Sequence, residues 1–470
     1  MKKTKIICSI GPASEPVDIM SQMVKAGMDV ARINFSHATY EDNDRVINNI
    51  KEVRRLTGRH VAILYDTKGP DFRCLTMKEG GVNLVEGNTV RIVKEPVVGT
   101  EEAFSVNYPD AIDKIQVGND ILIDDGLFKL KVESKDESSV TCRIINGGVL
   151  TSKKGIAVPG CDLNLTFLSD VDIEDIKYAC SHEGDFIALS FVESKENVLA
   201  VRKILEENNR SDMLIISKVE SLSALNNLDD IIDVSDGIMV ARGDLGVEVP
   251  IEKLPIIQKD MIKRCREKEK FVIVATEMLA SMYTSPRPTR AEVTDISNAV
   301  LDGTDAVMLS GESTVGKHPI DAVSFMAKIC EESEHFDEYA SKYTSRVPSD
   351  ITEAVANAVL TSVSHFDAKA IIVPTSGGHS ARVISNLRPH PLILALCSSE
   401  AVARRLSLNY GVYPIIVSVD HNDMDDVVNI CREVAVKVLG LKEHDVVVIA
   451  GGIHANKSIK QTNFMKIEEI

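Results

Sequence analysis

The sequence predicts an α/β protein: a TIM (β/α)8 barrel carrying an all-β insertion and followed by a separate three-layer α/β domain. Three observations carry this. Eight short, nearly continuous apolar runs alternate with amphipathic helical stretches along the first part of the chain. One stretch, from about 70 to 168, breaks that alternation with a two-residue period and turn signals. After about 345 the composition shifts at SRVPSD and a second α/β pattern begins.

The runs are KIICSIG (5–11), VARINFS (30–36), HVAILYDT (60–67), FIALSF (186–191), LIISKV (214–219), GIMVARGD (237–244), FVIVATEM (271–278) and AVMLSG (306–311). Strands that are apolar on both faces suit a parallel sheet covered by helices. Helical patterns follow nearly all of them. PVDIMSQMVKAG puts Ile19, Met23 and Val24 on one face, and IEKLPIIQKDMIKRCREKE is a second example. An open doubly wound sheet is the alternative, and the count of eight favours the barrel. Between the third and fourth units, TVRIVKE and DILIDDGLFKLKVES alternate in polarity and are punctuated by GGV, EGN and NGG. That pattern predicts an all-β insertion. Beyond 345, the helix ITEAVANAVLTSVSHF leads into the runs AIIVPTS, LILALCSS, VYPIIVSV and DVVVIAGG, each alternating with helices. The predicted division is 1–69 with 169–344 for the barrel, 70–168 for the insertion and 345–470 for the last domain.

A chain of 470 residues is long enough for two to four domains. With 44% hydrophobic residues and a mean hydropathy of 0.00, it reads as globular. No window reaches the roughly 18 uninterrupted apolar residues of a membrane span. The start, MKKTKIICSIGP, reads as a first strand rather than a signal peptide. Nine cysteines are scattered without Cys-x-x-Cys pairs or zinc spacing, which predicts reduced thiols and a cytoplasmic protein. A net charge of -17 argues against nucleic acid as the main partner. Small anionic ligands remain open, because they need only a local cluster of bases and backbone N–H groups.

In such a barrel, chemistry sits at the C-terminal ends of the strands. The second strand ends Arg32-Ile33-Asn34-Phe35-Ser36-His37, with Arg32, Asn34 and Ser36 on one face. The third ends Asp66-Thr67-Lys68-Gly69-Pro70-Asp71-Phe72-Arg73, which taken alone is equally a charged hinge. The fifth ends Lys218-Val219-Glu220, so that Lys218 and Glu220 share a face as an ion pair or as a phosphate clamp beside a metal ligand. The sixth ends Ala241-Arg242-Gly243-Asp244, and the seventh Ala275-Thr276-Glu277. Glu220 and Asp244 on adjacent strands make a hard-oxygen site suited to Mg²⁺. The glycines and free N–H groups near Asp244 suit an anion, and the Thr276 hydroxyl suits proton relay. Polar groups on five strand ends are hard to explain as core. Together they supply what phosphoryl transfer needs: cations on the moving group and metal ions bridging donor and acceptor oxygens.

Other motifs fall short. GESTVGKH (311–318) lacks the final hydroxyl residue of a phosphate loop and is followed by Pro319. The eleven histidines show no metal spacing, and no G-x-S-x-G elbow supports acyl transfer.

The strings INFSH, DTKGP, ISKVES, GIMVARGDLGVE, ATEML and SPRPTRAEVTDISNAVLDGTDAVMLSGES, in order along the whole chain, resemble the pyruvate kinase family. The resemblance implies a barrel, a β-barrel lid and an α/β regulatory domain, acting on phosphoenolpyruvate and ADP to give pyruvate and ATP with Mg²⁺ (or Mn²⁺) and K⁺. It implies that Lys218, assisted by Arg32, stabilises the phosphoryl in flight. Glu220 and Asp244 would ligate the divalent metal. The backbone of Ala241, Arg242, Gly243 and Asp244, with the Thr276 hydroxyl, would hold the phosphoenolpyruvate carboxylate, and Thr276 would be tied through water to protonation of the enolate carbon. Asn34, Ser36, Asp66 and Thr67 match the potassium ligands. Arg32, Asn34 and His37 would lie near the nucleotide. Arg73 at the hinge, with Asp125 and Lys154 in the lid, would close over the site and exclude water. A homotetramer is implied in the same way, with no membrane or nucleic-acid partner.

The chain departs from the family pattern in places. DTKGPDFR stands for DTKGPEIR, shortening the acid linked to potassium dependence to Asp71. ATEML stands for ATQML, placing Glu277 beside Thr276, where like-charge repulsion raises the pKa of nearby acids. Glu193 stands where an arginine is usual. In the last domain, Thr375-Ser376-Gly377-Gly378-His379-Ser380 links a strand to a helix, either as a plain turn or as a phosphate nest. The resemblance implies a phosphorylated sugar activator there, with His379 where relatives often have lysine. It also notes that the chain ends at Ile470 without the additional C-terminal domain of some relatives. Two other functions fit the same acids: a metal-dependent pyruvate-enolate aldolase, which needs no nucleotide, and a non-catalytic sugar-phosphate sensor.

Overall fold

The computed structural model describes residues 1–36, 38–336, 348–417, 424–452 and 461–470. The eight apolar runs become eight parallel strands: β1 (Lys5–Ser9), β2 (Val30–Asn34), β3 (Ala62–Asp66), β4 (Phe186–Leu189), β5 (Leu214–Val219), β6 (Gly237–Ala241), β7 (Phe271–Ala275) and β8 (Ala306–Leu309). They pair in chain order, and β8 returns to β1, so the sheet is closed and not an open doubly wound one. Alternation along each strand separates two cores. Ile7, Leu64, Ile216, Met239 and Ile273 fill the inside, while Ile6, Ile63, Ile215, Ile238 and Val272 face the helices. Several runs overshoot their strands because their last residues leave the ladder to form the barrel mouth.

The helix Val17–Ala26 buries Met20, Met23 and Val24, whereas Ile19 only flanks the core. The apolar face is turned about one residue from the predicted one, onto the i, i+3, i+4 set that begins at Met20. In the second example a 3-10 turn (Ile251–Lys253) precedes the helix Leu254–Glu267, with a proline in the first turn, where a missing N–H costs nothing.

The insertion is all-β apart from one 3-10 turn at Pro109–Asp113. A six-stranded sheet has Ile156–Ala157 at one edge and Ala103–Ser105 at the other. The chain leaving β3 reaches both edges. Arg73 bridges Gly155 and Cys74 bridges Val106, which links the edges and rounds the sheet toward a barrel. A ribbon of Val82–Leu84 and Gly148–Leu150 stands beside it.

The last sheet runs β11 (Val412–Ile416), β10 (Leu392–Cys397), β9 (Ala370–Thr375), β12 (Val446–Gly451) and β13 (Phe464–Glu469), with only β13 antiparallel. Helices Ile351–Phe366, His379–Asn386 and Glu400–Leu406 cover one face, and Met424–Leu439 covers the other, giving three layers.

The barrel floor repeats one device four times. The residue just before each even strand is an aspartate: Asp29, Asp185, Asp236 and Asp305. Each carboxylate accepts the N–H of the second residue of the preceding odd strand: Ile6 (2.9 Å), Ile63 (3.0 Å), Ile215 (2.9 Å) and Val272 (3.0 Å). Each aspartate carbonyl accepts from the first residue of the next odd strand, at Ala62, Leu214, Phe271 and, closing the circle, Lys5. Each carboxylate also has a cation: Lys2 for Asp29, Arg404 for Asp185 (2.9 Å), Arg202 for Asp236 (3.1 Å) and Arg388 for Asp305 (2.8 Å). Two of the four cations come from the C-terminal domain.

Candidate active site at the barrel mouth

Lys218, on the last turn of β5, is the centre of the site. Its Nζ lies 2.8 Å from Glu220 Oε1 and 3.4 Å from Asp66 Oδ1, and it donates to Ser190 Oγ at 2.8 Å. The buried Asp66 carboxylate also takes Arg32 Nε at 2.7 Å and the Ser190 hydroxyl at 3.2 Å. Arg32 is held from its other side by Ser9 Oγ (2.6 Å). Burial alone lowers an ammonium pKa, but Asp66 and Glu220 outweigh it and hold Lys218 above its ordinary value. Burial likewise pushes Asp66 up, and Arg32 and Lys218 bring it below the usual carboxylate range. The result is a fixed and mostly buried cation pair.

Glu220 and Asp244 face this pair. The N–H of Phe191 donates to Glu220 Oε2 (2.6 Å). Oε1 is buried and ion-paired with Lys218 but has no hydrogen bond of good geometry. Burial raises the Glu220 carboxyl, with Lys218 opposing and Asp244 adding. Asp244 opens onto the cleft. Its enclosure there raises it, Lys218 opposes, and the carboxylates that add to the rise are Asp125 and Asp71. Glu277, expected to play that part, is exposed, and its backbone, like that of Thr276, is left-handed. Two acids crowded together and short of hydrogen donors fit a hard divalent cation. Among the described residues no group of three or more metal-ligating side chains occurs, so such an ion would complete its shell with substrate oxygens and water.

The ends of β6 and β7 are tied through Thr276. Its hydroxyl donates to the Ala275 carbonyl (2.6 Å) and accepts the N–H of Gly243 (2.8 Å). Arg242 is expected to serve through its backbone. Its guanidinium turns into the protein, onto Asp295 (2.7 Å) and the Thr276 carbonyl (2.7 Å), so only its backbone faces the mouth.

Asn34 is the register partner of Asp66, and its Oδ1 accepts the N–H of Ser36. Thr67 Oγ1 accepts the N–H of Ser190 (3.1 Å). Four oxygen-bearing residues on two adjacent strand ends, with the one carboxylate already neutralised, fit a monovalent cation. His37 lies outside the described residues. Over the mouth, a cleft is lined by Asp71, Phe72 and Asp125 on the insertion side and by Phe191, Glu220 and Asp244 on the barrel. Arg73 pairs with Asp71 and donates to the Lys153 carbonyl (2.7 Å), while Lys154 pairs with Asp124 (2.9 Å).

In the last domain, Gly378 takes the left-handed conformation at the start of the helix (φ 87°). Thr375 Oγ1 accepts the Gly378 N–H (2.9 Å), and Ser380 Oγ accepts from the Thr462 hydroxyl (2.6 Å). Both side chains are buried, so the loop offers a ligand Ser376 and backbone rather than three hydroxyls.

Ser190, Ser9 and Asp295 were not singled out from the sequence. Ser190 follows directly after β4, where the rule applied to the other strand ends reaches it. Asp295 lies on a helix, and nothing local marks it.

A (β/α)8 barrel with a lysine, an arginine and two facing carboxylates at its C-terminal mouth defines a barrel phosphotransferase. Family models agree: pyruvate kinase, barrel domain, matches residues 1–323, and pyruvate kinase, alpha/beta domain, matches residues 353–468. The pyruvate kinase of Geobacillus stearothermophilus is 44% identical over 475 residues, covering 100% of this chain and 80% of the relative. That of Bacillus licheniformis is 42% identical, covering 99% and 80%. A crystal structure of a pyruvate kinase from Cryptosporidium parvum superimposes with a TM-score of 0.93 at 37% identity, covering 100% of this chain and 96% of the other. The chain belongs to the pyruvate kinase family. It transfers the phosphoryl group of phosphoenolpyruvate to ADP, giving pyruvate and ATP. No helix of the described residues is long and apolar enough to cross a membrane.

Proposed function

We propose that the reaction is carried by the cluster around Lys218, and the observation that supports this most is the convergence of Asp66, Ser190 and Glu220 on its Nζ. Lys218 and Arg32 hold the phosphoryl group as it leaves the enolate oxygen for the ADP β-phosphate. Both are fixed in advance, so little reorganisation opposes the charge that develops. The backbone of Ala241, Arg242, Gly243 and Asp244, with the Thr276 hydroxyl, receives the substrate carboxylate. Arg242 acts through its side chain as a positioning residue, holding the Thr276 carbonyl. The Thr276 hydroxyl, released from the Ala275 carbonyl, passes a proton by way of water to the enolate carbon. Arg32, Asn34, His37, Arg73 and Lys154 border the nucleotide, and closure of the lid, which carries Asp125, keeps water from the transferred group.

Glu220 and Asp244 would hold Mg²⁺ or Mn²⁺, which supplies charge neutralisation and orientation of the phosphoryl oxygens. Asn34, Ser36, Asp66 and Thr67 would hold K⁺. Glu220→Gln should raise the Mg²⁺ concentration needed for half-maximal rate by about tenfold or more, the scale lost with a ligating carboxylate. An unchanged Mg²⁺ requirement sinks the assignment. Omitting K⁺ should lower the rate, and Asp71→Glu should alter that dependence.

The residue ranges 1–69 with 169–344, 70–168 and 345–470 are proposed as three domains. Separate apolar cores support this, and the boundary at 344 lies outside the described residues. A phosphorylated sugar at Ser376, Gly377, Gly378 and His379, with Thr375 and Ser380 shaping the loop from inside, is the proposed regulation. A cytoplasmic homotetramer is the proposed state. Pyruvate formation from phosphoenolpyruvate, with and without ADP, tests the whole reading. Turnover without ADP would favour an aldolase-type enzyme, and no turnover would favour a sensor.

A further inference from the structure

A cavity lies in the seam where the C-terminal domain sits on the barrel floor. On the barrel side it is lined by Asp236, the turn 268–270 with Phe271 at the start of β7, and Asp305. On the other side is the helix His379–Asn386, through His379, Arg382 and Asn386. The cavity's two floor acids are already engaged: Asp236 with Arg202 and the Ile215 N–H, Asp305 with Arg388 and the Val272 N–H. Lys268 pairs with Asp233 (2.7 Å), and Glu269 stands exposed on the turn.

Two of the cavity's bases are not matched in this way. Among the described residues the half-buried Arg382 side chain makes no hydrogen bond and no ion pair, and the carboxylates of Asp236 and Glu269 act on it only from a distance. Among the described residues Lys270 Nζ bonds only to the carbonyls of Asp233 (3.2 Å) and Ser235 (2.6 Å), with no carboxylate. The two are close. Burial lowers the Lys270 ammonium, Asp236 and Asp233 oppose, and Arg202 and Arg382 lower it further. A chain with 70 acidic and 53 basic residues does not lack carboxylates to place here. A half-buried guanidinium with no bonded partner keeps its donors for a ligand in the cavity. Its planar fork matches the oxygens of a phosphate, and a neighbouring ammonium adds the second charge.

We propose that this seam binds a dianionic phosphate, either the free anion or the phosphate group of a small metabolite, between Arg382 and Lys270. This site is distinct from the loop at Ser376–Gly378 and goes beyond the regulation proposed there. A phosphate here joins the C-terminal domain to the segment that leads into β7, whose far end carries Thr276. Ligand in the seam therefore stiffens the contact between the domain and the strand that positions the hydroxyl.

The test titrates the full-length protein with inorganic phosphate and, separately, glucose 6-phosphate, following Tm. Phosphoenolpyruvate and Mg²⁺ are present and ADP is absent, so that the active site is filled. Wild type should show a saturable rise in Tm with at least one of the two. A response to both places the phosphate group alone in the seam, and a response to the sugar phosphate only identifies a monoester ligand. Arg382→Gln should shift the midpoint by about tenfold or more, while its Tm without ligand does not fall, because the side chain has no bonded partner among the described residues to lose. As a check that needs no variant, the active ligand should slow acylation of Lys270 in wild type. No saturable rise with either ligand, a midpoint unchanged in Arg382→Gln, or unchanged labelling of Lys270 overturns the proposal.

Discussion

Lys218→Met should lower kcat for pyruvate formation by about 10³-fold or more, the scale lost when a charge on the transferring phosphoryl group is removed. The side chain keeps its stem, so packing under the site is largely retained. Asp66 keeps Arg32 as its ion-pair partner at 2.7 Å, so no buried carboxylate is stranded there. Glu220 does lose its ion-pair partner inside the protein, so the loss of kcat should come with a fall in Tm, and the rate is compared at a temperature where both proteins are folded. Steady-state rates at saturating phosphoenolpyruvate, ADP, Mg²⁺ and K⁺ measure it. A variant that keeps a tenth of the wild-type kcat would remove Lys218 from the centre of the mechanism.

Asp305→Ala should be the most damaging single change to stability outside the site. It strips the carboxylate from the fully buried Arg388 and the acceptor from the Val272 N–H. Removing one partner of a buried pair costs about 3–5 kcal/mol. For a chain of this size that lowers Tm by on the order of 10 °C. Arg388 retains the Gly303 carbonyl (2.6 Å) and the ring of Tyr410 (4.4 Å), which limits the loss. Asp305→Asn, which keeps an acceptor for Val272, should lose less. Equal melting of Asp305→Ala and wild type would show that the pair contributes nothing.

The barrel was legible because all eight strands are apolar on both faces and each ends on the residue type its place in the mouth requires. Lys218, Glu220, Asp244 and Thr276 could be picked out by counting to the ends of their strands. What the sequence hid depends on distance or on rotation. Met20 and Ile19 differ by one step around a helix, which a pattern read by eye does not resolve. Arg242 sits at a strand end like its neighbours, but Asp295, 53 residues on, draws its side chain inward. Thr375 and Ser380 have the composition of a ligand loop, yet Gly378 and Thr462 take their oxygens. Closure of the insertion through Arg73 and Cys74 rests on isolated bridges with no apolar pattern to announce them. Arg388 and Arg404 serve aspartates far back in the chain, and pairing across such a separation leaves no local trace.

The four aspartates of the barrel floor have a consequence for how this molecule can be divided. Each belongs to a module of two strands, and the hoop they make is continuous through Lys5, so no module is terminal. The modules are not equally self-sufficient. Two find their counter-ion within the first half of the chain, at Lys2 and Arg202, and two borrow theirs from Arg404 and Arg388. A fragment cut before residue 348 would retain the complete circle of backbone bonds and every group in the mouth, yet two of its four carboxylates would lose the C-terminal cation, Asp185 keeping only the more distant Arg54 (3.9 Å). The catalytic portion is whole in chemistry and incomplete in charge. The C-terminal domain is in that sense a structural component of the barrel, and its loss should be felt first at the starts of β4 and β8.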